Sequence, residues 1–379
     1  MLLGFGAKNF FCFKEGIEVS LKLKPSSPAL ESNGSPFVDV LCVKGANGSG
    51  KTNLLKIISF FNFFCCHSFG DKPENPIASE TYFDCEQPSS FYIDFIIKKT
   101  QYRYELILNK KEVIKETIYR KKNRFIPIVE RNNRKETKCI KEFDELKIIK
   151  LRTNASIIST AHQYEIDSFS DIYDFFNKII SNVNLYGIYD KDFGLSYISE
   201  LYSKEKKLFN FVKKLIIACD LGIHDIKIKK IKDEEDADIY FPIFYYKNQD
   251  STKALLFQNQ SSGTKALYNQ LWIYKVILEE GGVLVLDEFD INLHPHMLPI
   301  LLELFFNKKT NKKNAQLLFT THNTKIIDTL GKYKVFFVNK DDNESFGYRL
   351  DEIPGEIIRN DRPISPIYDA GKIGGVPRL

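Results

Sequence analysis

The run Gly45-Ala46-Asn47-Gly48-Ser49-Gly50-Lys51-Thr52 fits the pattern G-x-x-x-x-G-K-[ST]. Its glycines let backbone N–H groups close around a phosphate. The apolar stretch Val38–Val43, polar only at Asp39, precedes it, and a helical stretch, Asn53–Phe64, follows. Strand, glycine-rich turn and helix N-terminus make an anion cradle, to which the helix adds the positive end of its dipole. In such a cradle Asn47, Gly48, Ser49, Gly50 and Asn53 border the phosphates. Lys51 reaches the β- and γ-phosphates, and the Thr52 hydroxyl binds Mg²⁺.

Three later segments carry matching chemistry. Val283-Leu284-Val285-Leu286-Asp287-Glu288 is an apolar strand ending in two carboxylates. Asp287 is placed to hold Mg²⁺ through water, and Glu288 to polarise an attacking water. Gln316-Leu317-Leu318-Phe319-Thr320-Thr321-His322 is a strand ending in a histidine that can contact a γ-phosphate. Gln260-Ser261-Ser262-Gly263-Thr264 opens a helix just before the acidic strand; a small, hydroxyl-rich turn there is either a second anion site or an ordinary N-cap.

The elements that must hold these residues are legible in outline. Leu2–Phe13 and Ile17–Leu23 read as strands, and 25–36 as a Pro/Ser/Asn/Gly loop. The β-branched and aromatic runs Phe91–Lys98, Tyr102–Asn109, Val113–Lys121 and Arg124–Arg131 read as a meander. Residues 165–222 read as helical, with Ile172, Phe175, Phe176, Ile179 and Ile180 at helical spacing. Ile226–Ile231 and Ile239–Tyr246 read as strands around an acidic turn. From 255 onward, apolar strands at Val283–Leu286, Leu317–Phe319 and Val335–Val338 alternate with helices at Gly263–Leu278, Pro295–Phe306 and Thr324–Leu330. That alternation predicts a largely parallel sheet. The expected fold class is therefore α/β, a phosphate-loop head with a mixed or parallel central sheet, an N-terminal antiparallel β subdomain and a helical insertion. The expected division is an N-terminal lobe at 1–164, an insertion at 165–254 and a C-terminal lobe at 255–379. No heptad pattern supports long coiled-coil arms.

Composition narrows the setting. The chain has 379 residues, is 43% hydrophobic and carries a net charge of +5. No apolar run approaches the ~20 residues of a membrane span, and the N-terminus lacks a signal-peptide pattern, so the expected location is the cytosol. Seven cysteines at 12, 42, 65, 66, 85, 139 and 219 contain no C-x-x-C pair, which suggests neither a disulfide framework nor a zinc site. Cys65-Cys66-His67 is expected to end the first helix rather than bind metal, and His294 and His296 form an H-x-H pair. Residues 98–150 hold 17 Lys/Arg against 8 Asp/Glu, which fits either a nucleic-acid footprint or a solvated face.

In order, these segments resemble the ATP-binding-cassette ATPases, and within them the SMC- and RecF-like branch that includes the AAA-type ATPases of prokaryotic antiviral defence. Gly45–Thr52 resembles the Walker A loop, Ser261-Ser262-Gly263-Thr264 the signature loop and Asp287-Glu288 Walker B. Asp290–His294 resembles the D-loop and His322 the switch histidine. Asp287–Pro295, Ser261–Lys265 and the C-terminal Tyr368–Pro377 are particularly similar to abortive-infection ATPases and to the ATPase domain of overcoming-lysogenisation proteins. The resemblance covers roughly 1–65 and 255–379. The signature departs from Leu-Ser-Gly-Gly-Gln at Gln260, Ser262 and Thr264, which argues against a transporter engine.

The resemblance implies ATP and Mg²⁺ as cofactors and a head-to-tail homodimer. Each site would take Lys51, Thr52, Asp287, Glu288 and His322 from one chain and Ser261 and Gly263 from the other. Gln163 is the candidate for the family's metal-contacting glutamine. The resemblance favours a D-loop over a metal pair at His294 and His296. About 57 residues follow His322, too few for a fused nuclease, so the expected role is sensor or scaffold for a separate effector, such as a nuclease or toxin, in antiviral defence. The alternative is a RecF- or SMC-like ATPase that binds DNA in repair or replication, with 98–150 as the candidate nucleic-acid contact.

Overall fold

The computed structural model describes all residues except 25–26, 28–34, 133–136, 190–192, 220–221, 249–250, 292, 354–357, 359–361 and 376–379. The loop expected at 25–36, Asn292 of the D-loop-like segment and the end of the C-terminal motif at 376–377 thus fall wholly or partly outside the described residues. The chain forms two compact units, 1–189 with 281–289 and 314–379, and 190–280 with 290–313. The division interleaves segments instead of following the boundaries 164 and 254 expected from sequence.

The first unit holds two large sheets. One comprises β1 (Leu2–Lys8), β2 (Ile17–Ser20), β4 (Ser89–Ile97), β5 (Thr100–Leu108), β6 (Val113–Lys121), β7 (Phe125–Asn132) and β8 (Lys138–Cys139), in the order β2-β1-β4-β5-β6-β7-β8. All its pairings are antiparallel, so the meander is present as expected. The other comprises β3 (Val40–Lys44), β9 (Ile179–Ser181), β15 (Val283–Leu286), β16 (Gln316–Thr320), β17 (Val335–Asp341) and β18 (Glu344–Arg349), in the order β18-β17-β3-β16-β15-β9. Its strands run parallel except β18, which returns antiparallel to β17. A small hairpin, β10 (Val183–Asn184) with β11 (Gly187–Ile188), follows β9.

Helix α1 (Lys51–His67) is packed between the sheets. Its Phe60 stacks on Phe91 at 4.6 Å and its Phe61 meets Tyr104 edge-on at 5.8 Å. A helix covered on both sides needs apolar residues around most of its circumference, which is why Leu54 through Cys66 is almost continuously hydrophobic. Cys65 and Cys66 are part of that burial, which pushes both thiols up, Cys66 to about 12. The short helices α2 (Ile157–Gln163) and α3 (Ser170–Asn177) pack on α1, and α8 (Ile326–Leu330) and α9 (Ser365–Asp369) lie later in the same unit. Gln316 joins the two sheets: its side chain accepts from Leu2 N at 2.6 Å and donates to Leu2 O and Val38 O.

The second unit has α4 (Leu195–Lys204), α5 (Lys206–Cys219), α6 (Ser262–Glu280) and α7 (Met297–Phe306). They accompany a three-stranded antiparallel sheet of β12 (Ile223–Lys232), β13 (Asp238–Asn248) and β14 (Ser251–Leu256). Its core gathers Tyr202, Phe244 and Phe257 around Tyr268. No helix among the described residues is long and apolar enough to cross a membrane.

One expectation fails within the first unit. Ile179 and Ile180 continue the helical spacing of Ile172, Phe175 and Phe176, yet the helix ends at Asn177 and Ile179–Ser181 forms a parallel edge strand beside β15. A short β-branched run that ends in Ser-Asn cannot be told from a helical turn by period alone; the vacant edge of β15 decides it. Strands β14 and β18 also escape the sequence reading.

Candidate active site

The parallel sheet brings the chemistry together by register alone. Val43 pairs with Thr320, and Leu286 with Phe319. The segments after β3, β15 and β16 therefore leave the same edge of the sheet, the C-terminal edge at which open α/β sheets bind ligands. They carry Gly45–Thr52, Asp287-Glu288 and His322 respectively.

The phosphate loop turns through positive φ at Gly48 (75°) and Gly50 (106°), a region in which only glycine is unstrained. At Gly50 a Cβ would also lie 2.6 Å from Cys12 Sγ. The Ser49 hydroxyl is buried, the residue 3% exposed, with no hydrogen-bond partner among the described residues. Lys51 Nζ folds back over the loop, donating to Gly45 O and Ala46 O at 3.0 Å. Burial lowers its pKa; Asp287 and Glu288 act against that fall, and Lys44 adds to it. This is an ammonium held partly out of water, where an anion would stabilise it most.

Asp287 is fixed on every side. One carboxylate oxygen accepts from Thr52 Oγ1 at 2.6 Å and the other from Thr320 Oγ1. Asn182 brackets its backbone, with Oδ1 accepting from Asp287 N at 2.7 Å and Nδ2 donating to Asp287 O at 3.0 Å. Thr320 Oγ1 also accepts from Glu288 N at 2.8 Å. Glu288 sits at φ 51°, a left-handed conformation that costs a non-glycine residue about 1–2 kcal/mol. The hydrogen bonds of Thr320 hold it there, with the Glu288 side chain half-exposed. Thr52 and Asp287 are a hard, all-oxygen donor pair, the kind that suits Mg²⁺.

His322 is exposed just beyond β16. Its backbone is clamped by Lys44, the last residue of β3, buried to 2%. Lys44 Nζ donates to Thr321 O at 2.9 Å and Asn323 O at 3.2 Å, the carbonyls on either side of His322. Lys44 thus ties the start of the phosphate loop to the histidine segment.

Gln163 does not join this group. It is an exposed residue at the end of α2. That helix packs on Phe69, whose N–H donates to Ser159 Oγ at 3.0 Å and whose ring meets Tyr164. Phe69 lies beyond the C-terminus of α1, a 17-residue helix, whereas Thr52 stands at its start, about 25 Å away. The amide side chain beside Asp287 is that of Asn182. Sequence reading missed Asn182, Thr320 and Lys44. The turn-forming Ser-Asn-Val-Asn after a β-branched pair was the available signal for the first; a strand-end Thr and a pre-loop Lys gave none.

Asn53 Nδ2 donates to Cys12 Sγ at 3.2 Å, the same thiol that crowds Gly50. In the second unit, Ser261 caps α6: its Oγ accepts from Thr264 N at 3.1 Å and lies 2.8 Å from Thr264 Oγ1. Ser261 and Ser262 are exposed and Gly263 is buried. In the D-loop-like segment Leu293 N donates to Asp290 O at 3.0 Å. The His294 and His296 rings stack at 5.2 Å, and no group of three or more metal-ligating side chains occurs among the described residues.

No curated protein matches the sequence. Similar solved structures include the SMC head domain from Thermotoga maritima, with 14% identity over 92% of this chain and 98% of that one and a TM-score of 0.46. A second is the SMC head bound to the C-terminal winged-helix domain of ScpA, with 13% identity, 93% and 99% coverage and a TM-score of 0.49. A third is the Pyrococcus furiosus SMC head with an extended coiled coil, with 11% identity, 93% and 97% coverage and a TM-score of 0.46. Residues 40–328 match the family described as "AAA domain, putative AbiEii toxin, Type IV TA system". That span holds the phosphate loop, Asp287, Glu288 and His322, and the chain belongs to this family.

Proposed function

We propose that this chain hydrolyses ATP and uses the nucleotide state to control a separate effector, a nuclease or toxin, in defence against phage. The observation that carries the hydrolytic reading is the Asp287 constellation, in which one threonine orders the carboxylate and the strained Glu288 together. Gly48–Thr52 and the Lys51 ammonium would hold the phosphates, and Thr52 with Asp287 would hold Mg²⁺, which would supply charge neutralisation on the phosphates. Glu288 takes the proton of the attacking water. His322, on its Lys44-clamped segment, reads the terminal phosphate.

In this reading two copies bind head to tail. Ser261 and Gly263 of one copy complete the phosphate site of the other, and ATP bridges the pair. Loss of the terminal phosphate relaxes the dimer and changes what the effector meets. The defence role draws on the family's description as an AbiEii-type toxin of a toxin–antitoxin system. The basic segment gives direct DNA binding less charge than its composition suggests, because at least five of its 17 Lys/Arg are already paired with carboxylates. Arg103 bonds to Asp94, Lys98 to Asp171, Lys110 to Glu80, Arg120 to Glu142 and Arg131 to Glu116.

The test is phage challenge of cells carrying this gene with and without its neighbouring gene, using wild type and Glu288→Gln. Protection that needs both genes and fails with Glu288→Gln supports the proposal. Salt-sensitive, ATP-dependent binding of the purified chain to duplex DNA, with no effect of the neighbour, would replace it with the repair reading.

A further inference from the structure

The β12–β13–β14 sheet of the second unit has two unlike faces. On one, Ile226, Pro242 and Phe244 are buried under the helices, Phe244 completely. α4 packs on β13 and α5 on β12. The cross-strand register puts Lys227 beside Ile243, Lys229 beside Phe241 and Ile231 beside Ile239 on the opposite face, with Leu256 next to Ile243. A sheet with one face in water normally alternates apolar and polar residues. Here β13 reads Ile-Tyr-Phe-Pro-Ile-Phe-Tyr-Tyr, apolar on both faces, the pattern of a strand covered on both sides. Yet Ile231 is 51% exposed and Leu256 47%, and Lys227 and Lys229 are exposed, the Lys227 ammonium lying over the Tyr245 ring at 5.2 Å.

We propose that this open face docks an amphipathic helix of a partner protein, one whose apolar stripe is flanked by Asp and Glu. The apolar side chains Phe241, Ile243 and Leu256 supply the contact area; a helix laid on a sheet is the common way to bury such a face. Lys227 and Lys229, together with Lys247 farther along β13, make the face cationic, so the complementary partner surface is acidic. A second copy of the chain would bring lysines against lysines. Aliphatic side chains, Ile231, Ile239, Ile243 and Leu256, outnumber the rings of Phe241 and Tyr245 on this face, which suits a protein better than the bases of a single strand, bound by stacking on successive rings.

The face has a route to the signature-like loop. On the covered side of β13, Tyr246 Oη donates to Gln260 Oε1 at 2.5 Å, and the Gln260 amide also donates to Leu256 O at 3.3 Å. Gln260 is buried and directly precedes Ser261. A helix seated on the open face therefore bears on the strands that position Ser261. This inference rests on the effector reading above, since it names the surface through which a partner would be held.

The experiment selects a displayed library of helical peptides, randomised in charge beside a fixed apolar stripe, on the full-length chain. Acidic peptides should be enriched. Lys227→Glu combined with Lys229→Glu should weaken the winners by about tenfold or more, and Phe241→Ser should do the same by removing contact area. Should Phe241→Ser fail to fold, the lysine pair still decides. Peptides enriched without acidic character, or binding unchanged in both variants, overturn the proposal. So does binding of oligo(dT), but not of peptides, that is lost in the same variants, and so does self-association lost in them. A complex with the neighbouring gene's product that survives both variants overturns this surface and leaves the effector reading intact. Acidic peptides that bind as expected, while that product never binds wild type, uphold the surface and remove the effector reading.

Discussion

Asp287 is held by four hydrogen bonds from three residues, and most of the site's behaviour should follow from how little freedom that leaves. Glu288→Gln keeps the side chain's size and the Thr320–backbone bond but removes the base. It should bind nucleotide as wild type does and hydrolyse it at least about a hundredfold more slowly, measured by single-turnover phosphate release against equilibrium binding. Thr320→Val is nearly isosteric and removes the donor to Asp287 and the acceptor for Glu288 N. Unfolding should become easier by about 1–3 kcal/mol, and turnover should fall even at saturating ATP. Lys44→Met takes the donor from the carbonyls flanking His322. Its signature should be a lower kcat with a smaller change in nucleotide affinity, partly rescued by Lys44→Arg; equal losses in both would make Lys44 a structural residue only. For Lys51, burial lowers the pKa in the free protein. A phosphate anion favours the protonated amine, so affinity falls as pH rises through that depressed value, at a lower pH than an exposed lysine would show. Titrating a fluorescent ATP analogue across the alkaline range reads this directly, and a flat profile would contradict it.

At the scale of elements, the meander is anchored by one buried cluster. Glu116 on β6 accepts from Tyr104 Oη at 2.7 Å and Ile157 N at 2.8 Å, and lies 2.9 Å from Arg131, which also donates to Arg152 O and Ala155 O. The cluster ties β5, β6 and β7 to the start of α2. Arg131→Met leaves the Glu116 carboxylate buried without its cation and should cost about 3–5 kcal/mol in chemical denaturation; an unchanged midpoint would mean that the cluster is replaceable. The same elements show what a sequence exposes and what it hides. The β-branched and aromatic run Val113–Lys121, and the continuously apolar run Val283–Leu286 ahead of its acidic pair, carry their strand signal in their own composition and were legible to the residue. The phosphate loop and the acidic pair were legible because their spacing is local. Ile179–Ser181 was not, because three residues hold no period and its strand identity comes from the edge of β15. The placement of Gln163 far from Thr52 was hidden for the same kind of reason: it depends on the length of α1, which lies nearly a hundred residues earlier. Asn182, Thr320 and Lys44 act through contacts between strands distant in sequence, so their types alone said nothing.

At the scale of the whole molecule, Lys51 and Ser261 are proposed as parts of one site on different copies. Each alone is only a phosphate-loop lysine and a helix N-cap. Their joint role can be tested without a partner, a phage or a known trigger. Lys51→Ala and Ser261→Arg should each abolish ATPase activity as purified proteins. Mixed in equal amounts, half of the pairs carry one of each chain, and in those pairs one of the two sites draws Lys51 and Ser261 both from intact positions. Activity should therefore return to about a quarter of wild type, with ATP-dependent dimers seen by sedimentation. A mixture no more active than its two components would contradict the shared site, as would full activity in either variant alone.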